Sequence, residues 1–311
     1  MHIPDGLLSI PVWAALDVAA APAIGYVARR TGPATAGAEN GRIPLLGVMG
    51  AFVFAAQTIN FPVGPGTSGH LVGGTLLGLT LGPWPAALVM TAILVVQALI
   101  FGDGGVLALG ANVLNMAIIG VMAGILPYRY FGAGKFRDAS IFLGGILSVG
   151  VSAALAIAEL KLSGVPLTGT IVGLQAGVFL VNGILEGAIT VAVIRGIQAL
   201  NADWVQRPED TQSRAHWALI GGSVLLAVAG VLFASASPDA LEALIDKVGL
   251  AGSVKNVVRA PLAEYKWQGM GSDWIRKSAA GLTGIFLVYV VSLLIGRAIR
   301  SRRSAPATGG D

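Results

Sequence analysis

LVGGTLLGLTL, residues 71–81, decides the fold, because whether this run crosses a bilayer sets the direction of every segment after it. A helical crossing ordinarily takes about 20 apolar residues, and this run has 11. Gly69, Gly73, Gly74 and Gly78 allow close packing and a thin or tilted passage. Around it, eight longer apolar runs read as spans: 8–28, 43–61, 84–101, 108–126, 139–159, 170–194, 215–234 and 278–296. Counting the short run makes nine crossings, and charge tests the count. With the amino terminus outside, the inner segments 29–42, 82–83, 127–138, 195–214 and 297–311 hold 13 of the 20 Lys and Arg residues. That is the bias expected of short cytoplasmic loops. The short outer loops 62–70 and 102–107 hold none. Without the short run, the basic 127–138 loop would face outward.

The expected architecture is an all-α integral membrane protein with its amino terminus outside. Residues 1–200 form a seven-span unit, 201–214 a cytoplasmic linker, and 215–311 a two-helix hairpin around a large outer loop, 236–277. The tail Arg300–Asp311 is expected to be disordered. Composition agrees with a membrane chain: 55% of the 311 residues are hydrophobic and 12% charged, against about 25% charged in soluble domains. The absence of Cys excludes disulfides, thiolate metal sites and Cys nucleophiles. The net charge of +4 fits cytoplasmic loops better than a nucleic-acid footprint. No Walker A motif is present, since Gly134-Lys135 runs into Phe136. The start carries no basic residue before Arg29, so a cleaved secretory signal is not expected. His2 is too large to favour methionine removal, so the amine is expected to stay on Met1.

With three His in the chain, each can be weighed singly. A free Met1 amine, the backbone nitrogen of His2 and its imidazole can wrap one cation in adjacent chelate rings. Such planar nitrogen geometry suits Ni(II) or Cu(II) better than Zn(II). An accidental, frayed terminal His fits the same residues. His70 ends an uncharged Pro- and Gly-rich loop that starts at Asn60, on the same side as Met1. Burying an imidazole near lipid is costly, which favours function, although a hydrogen-bonded packing His fits as well. His216 lies at the opposite end and reads as interfacial. Gln97, Asp103, Asn112 and Asn115 surround a second glycine-rich outer loop. Asn112 and Asn115 would share a helix face, either supporting the imidazoles as outer partners or joining helices. Asn60 and Ser68 belong to the same outer group around His70. Asp17 and Glu186 lie within spans, where pairing or a structural role is expected. Ala15, Ala19 and Ala23 form a small-residue stripe suited to close helix contact.

Three motifs in order carry a family resemblance: Met1-His-Ile-Pro-Asp-Gly6, the Asn60–His70 loop ending Gly-Thr-Ser-Gly-His, and Gly102-Asp-Gly-Gly with Leu-Gly-Ala-Asn-Val-Leu-Asn-Met116. They resemble the NikM/CbiM group, the nickel- and cobalt-specific substrate-capturing (S) components of energy-coupling-factor transporters. The resemblance covers about residues 1–200 and implies a planar metal site formed by Met1, His2 and His70. It implies uptake rather than enzymatic activity, with Ni(II), or alternatively Co(II), as the transported ion. Energy would come from a membrane coupling protein (T component) and cytoplasmic ATPase subunits, in the cell membrane of a prokaryote. Residues 215–300 resemble the small NikN/CbiN accessory component, through Pro238-Asp-Ala-Leu-Glu242 and Ala260-Pro-Leu-Ala-Glu-Tyr265. Ala240 stands where that motif usually has Gly. The His-Ile-Pro-Asp-Gly start leans towards nickel. An ion-coupled secondary carrier is the rival reading, which would need Asp17 and Glu186 as a relay.

Overall fold

The computed structural model describes residues 1–36, 42–200, 214–235, 237–255, 257–267, 269 and 271–304. Ten helices organise the described residues: α1 (Ile10–Ala36), α2 (Arg42–Gln57), α3 (Gly74–Leu81), α4 (Pro83–Phe101), α5 (Leu109–Phe131), α6 (Arg137–Leu162), α7 (Gly169–Leu200), α8 (Arg214–Leu232), α9 (Ala240–Lys247) and α10 (Asp273–Ser304). Seven are long and apolar enough to cross a membrane, α2 is a shorter apolar helix, and α3 is shorter still. Large apolar side chains face outward, with Val18 74%, Leu225 63% and Phe286 64% exposed. That surface would be untenable in water and suits lipid.

The short run at 71–81 spans the bundle's height. Both His70 at its start and Asp103 after α4 lie at the end of the molecule occupied by the amino terminus. The 19 residues of α4 rise about 28 Å at 1.5 Å each, so the chain from His70 to Gly82 must cover a similar height. It does so with the non-helical residues 70–73 followed by the eight-residue α3. Non-helical chain at this depth leaves backbone N–H groups that lipid cannot satisfy. Glu186, fully buried on α7, meets that need: its carboxyl oxygens accept from Val72 N (2.7 Å) and Gly73 N (2.8 Å). Gly73 starts α3 in the left-handed region (φ 80°), and a Cβ there would stand 2.4 Å from Val53. Asp17 is used in the same way, accepting from Gly110 N at 2.7 Å.

Several expectations need revision. The Asn60–His70 stretch is a β-hairpin, β1 (Phe61–Gly64) pairing antiparallel with β2 (Thr67–Gly69), so the second span ends at Gln57 and does not reach Phe61. The tail is helical through Ser304, because α10 carries its regular hydrogen bonds beyond the apolar stretch; 305–311 lie outside the described residues, as does nearly all of the 201–214 linker. The hairpin α8–α10 is no appendage. Both helices pack along α2, and Trp274 Nε1 donates to Val228 O (2.8 Å) to join them. Of the small-residue stripe, Ala15 and Ala19 are exposed and Ala23 is half-buried, so α1 does not use most of it inside this chain.

Glu186→Ala should orphan two buried N–H groups, at about 1–3 kcal/mol each. The thermal midpoint of the purified protein in detergent should fall markedly, and less for Glu186→Gln, which keeps one acceptor oxygen. A wild-type midpoint for Glu186→Ala would contradict this role.

Candidate metal centre

The amino-terminal segment is threaded into the bundle and held by its backbone. Ile3 N donates to Asn112 Oδ1 (2.8 Å), while Ile3 O accepts from Asn112 Nδ2 (3.1 Å) and Gly105 N (2.9 Å). One asparagine thus satisfies both polar groups of a fully buried residue, as a strand partner would. Asp5 accepts from Val106 N, Leu107 N and Ala108 N at 3.0, 2.8 and 3.3 Å, just ahead of α5. A carboxylate there also complements the positive end of that helix. Gly6 follows at φ 93°, where a Cβ would sit 2.1 Å from Ser253 O. The Pro-Asp-Gly of the start is therefore a cap and a turn that fix where residues 1 and 2 lie.

Those anchors put three nitrogen-bearing groups together. Met1 N lies 3.1 Å from His70 Nε2, and the His2 and His70 rings are nearly parallel (10°) with centroids 5.5 Å apart. His70 Nδ1 lies 2.9 Å from Leu71 O and donates to it, which leaves the Nε2 lone pair turned to the amine. Burial, then the neighbouring amine charge and His2, push His70 down to about 4. It therefore stays neutral and able to ligate as pH falls through the range where free imidazole protonates. His2 is 5% exposed. Its Nδ1 stands 2.8 Å from Asp103 Oδ1 without hydrogen-bond alignment, and its Nε2 is buried without a partner.

The accessory loop completes the site. Asp239 pairs with the Met1 ammonium through one carboxyl oxygen. Through the other it caps α9, accepting from Leu241 N (2.7 Å) and Glu242 N (2.8 Å). Glu242 accepts in turn from Asp239 N at 3.0 Å, closing a capping box. Position 240 is the first helical residue of that box, which Ala fills as well as Gly. Burial would raise Asp239, but the ammonium, His70 and these bonds hold it below the usual carboxylate range. Ser68 N and Oγ both bond the Ser237–Pro238 carbonyls, and Asn60 O accepts from Ser235 N (2.7 Å). Tyr265 OH donates to Asp103 Oδ2 at 2.5 Å and accepts from Gln97 Nε2 at 3.2 Å. Two cavities of about 530 and 470 Å³ flank the centre, the first lined by His70 and the second by His2. They share Asp103, Asp239, Glu242 and Glu264 as walls.

Of the outer residues expected from the sequence, only Asp103 touches an imidazole. Asn60 and Ser68 bind the accessory loop, Gln97 binds Tyr265 and Gln57, and Asn112 clamps Ile3. Asn115 bonds Glu159 Oε2 (2.8 Å) on α6. The two asparagines diverge because Val113–Gly120 is π-helical, and i→i+5 bonding rotates residues three apart off a common face. His216 lies on α8, outside the cluster. Asp239 and Tyr265 were not singled out as site residues; their signal was the Asp-x-x-Glu capping pattern and the Ala260–Tyr265 motif. Among the described residues no group of three or more His, Cys, Asp or Glu forms a metal cage.

Comparison with known proteins agrees with this anatomy. Residues 2–204 match the CbiM family, described as a cobalt uptake substrate-specific transmembrane region, and residues 213–301 match the PDGLE domain. A putative fused nickel transport protein NikMN of Archaeoglobus fulgidus is 32% identical, covering 97% of this chain and 100% of its own. A probable fused nickel transport protein LarMN of Lactiplantibacillus plantarum is 34% identical over 75% of each chain. A crystal structure of a transition metal transporter aligns with TM-score 0.57 and 33% identity, over 65% of this chain and 94% of that one. Ten helices, an amino terminus buried among imidazoles and a capping Pro-Asp-Ala-Leu-Glu loop thus belong to a multi-pass membrane component for metal transport, a member of the CbiM family fused to a PDGLE domain.

Proposed function

We propose that this chain is the nickel-capturing S component of an energy-coupling-factor transporter, holding Ni(II) in a planar set of nitrogens from Met1, His2 and His70. The observation that carries this reading is the approach of the Met1 amine to the unprotonated His70 Nε2, 3.1 Å apart. Donors at right angles about 2.0 Å from one ion lie about 2.8 Å from each other. The His2 backbone N–H makes no hydrogen bond among the described residues, so it is free to serve as the third donor. The His2 imidazole supplies the fourth by chelation through Nδ1, the atom beside Asp103. Asp239 and Asp103 sit against the amine and the imidazole, the two groups that a metal must engage without their protons.

Four carboxylates around the flanking cavities favour a cation over an anion. Either cavity has room for an ion with six waters, roughly 180 Å³ at 30 Å³ each. Planar nitrogen ligation favours Ni(II) over Co(II) in the Irving–Williams order, and the fused relatives carry nickel in their names. The amino terminus faces the outside and the basic ends of α6 and α7, joined by Asp138–Arg195, face the cytoplasm. Energy is supplied by a separate membrane coupling protein and ATPase subunits. A secondary carrier is disfavoured because Asp17 and Glu186, the two carboxyls that reading would use as a relay, are both committed to backbone N–H groups.

His70→Ala should lower Ni(II) retention by the purified chain at least about tenfold, and Ala inserted between Met1 and His2 should abolish uptake while leaving membrane insertion intact. Nickel accumulation in cells carrying the coupling and ATPase subunits, normalised to membrane protein, checks both. Full uptake by an uncleaved Ala-insertion variant would overturn the amine-ligand reading.

A further inference from the structure

A chain of contacts runs from one imidazole of the site to the segment carrying the other, and it passes through the accessory loop. His2 Nδ1 is 2.8 Å from Asp103 Oδ1, and Asp103 Oδ2 accepts from Tyr265 OH at 2.5 Å. Tyr265 OH accepts from Gln97 Nε2 (3.2 Å), which also donates to Gln57 Oε1 (3.0 Å). Gln57 Nε2 then donates to Val72 O at 2.7 Å, one residue beyond the Leu71 carbonyl that fixes the His70 tautomer. The Gln97–Gln57 link joins buried side chains of α4 and α2, and the bond from Gln57 to Val72 O is buried as well. Within this chain of contacts, Tyr265 is the member that the accessory loop contributes.

The backbone at this link is unusual. Among the described residues, Glu264 (φ 56°) and Tyr265 (φ 54°) are the non-glycine residues with positive φ. Two successive side-chain-bearing residues in the left-handed region persist only where surrounding contacts impose them. Those contacts are visible: the Tyr265 ring stacks on Phe101 (4.6 Å, 18°) and tilts against Phe54 (6.2 Å), while Leu262 N donates to Ile100 O at 2.8 Å. The stack holds the ring, and the ring delivers its hydroxyl to the carboxylate beside His2.

We propose that Tyr265 is a positioning residue for metal capture, orienting the Asp103 carboxylate, and through it the His2 imidazole, only when the accessory loop is docked. The proposal rests on the nitrogen-site reading and adds a residue that acts without touching the ion. With the hydroxyl in place, Asp103 is fixed on the His2 side by a charge-assisted bond. Without it, the carboxylate can rotate away, and the imidazole loses its orientation before the ion arrives.

The test uses the purified full-length chain, with Ni(II) affinity measured by chelator competition in wild type, Tyr265→Phe, Asp103→Asn, the double variant and His70→Ala. Tyr265→Phe keeps the ring stack and the Gln97–Gln57 bond, so the metal-free melting temperature should fall far less than in Glu186→Ala, while affinity falls about tenfold and the Ni(II) absorption band shifts. In the Asp103→Asn background the same change should weaken binding less than about twofold, because the two residues act as one unit. Wild-type affinity in Tyr265→Phe, or an equal loss in both backgrounds, would overturn the proposal. Retention of Ni(II) by His70→Ala would instead overturn the nitrogen site, and the positioning role with it.

Discussion

The centre depends on the capture of five amino-terminal residues as if they were an internal strand. Asn112 and Gly105 satisfy both backbone groups of Ile3, Asp5 O accepts from Lys255 N, and the Asp5 carboxylate binds residues 106–108. A buried, unpaired amide costs a few kcal/mol, so a free terminus with unmet polar groups would stay in water. Once these bonds form, the terminus has little freedom left, and the amine arrives beside His70 at no further ordering cost. The same economy governs residues 70–73, where Glu186 replaces the partner that lipid does not provide.

The accessory hairpin closes the arrangement from above. Its two helices pack on α2, and its loop returns to the amine through Asp239, to the β-hairpin through Ser68, and to α4 through Leu262 and Tyr265. A loop held at these four places, by an ion pair, by bonds to its backbone and by the Tyr265 hydroxyl, is positioned by the site as much as it positions the site. That reciprocity gives a physical reason for two family segments to be fused in one chain: the tether raises the effective concentration of the loop at its dock. Asp103 comes from the main unit and Asp239 from the accessory loop.

Much of this was legible in the residues, and the exceptions have causes. Apolar length locates the long helices, and the short glycine-rich run forms the eight-residue α3 behind a non-helical lead at 70–73. His2 and His70 stand out because so few ionisable groups occur near the membrane. Partners were harder to assign. Asn112 and Asn115 are equivalent at helical spacing, and only the π-helical turn separates them, an element with no reliable sequence mark. Asp239 hides in a capping box whose local role is complete without the amine. Tyr265 and Glu186 act over separations of 162 and 114 residues, which no local pattern can encode.

The most direct measurement is the magnetic state and X-ray absorption spectrum of the purified chain loaded with Ni(II). Planar nitrogen ligation of a d⁸ ion gives a diamagnetic centre, and the spectrum should fit nitrogen donors in a plane with an imidazole contribution that falls when His70 is replaced by Ala. A paramagnetic, six-coordinate ion surrounded mainly by oxygen would contradict the account, because it would place the metal among the carboxylates and not at Met1, His2 and His70.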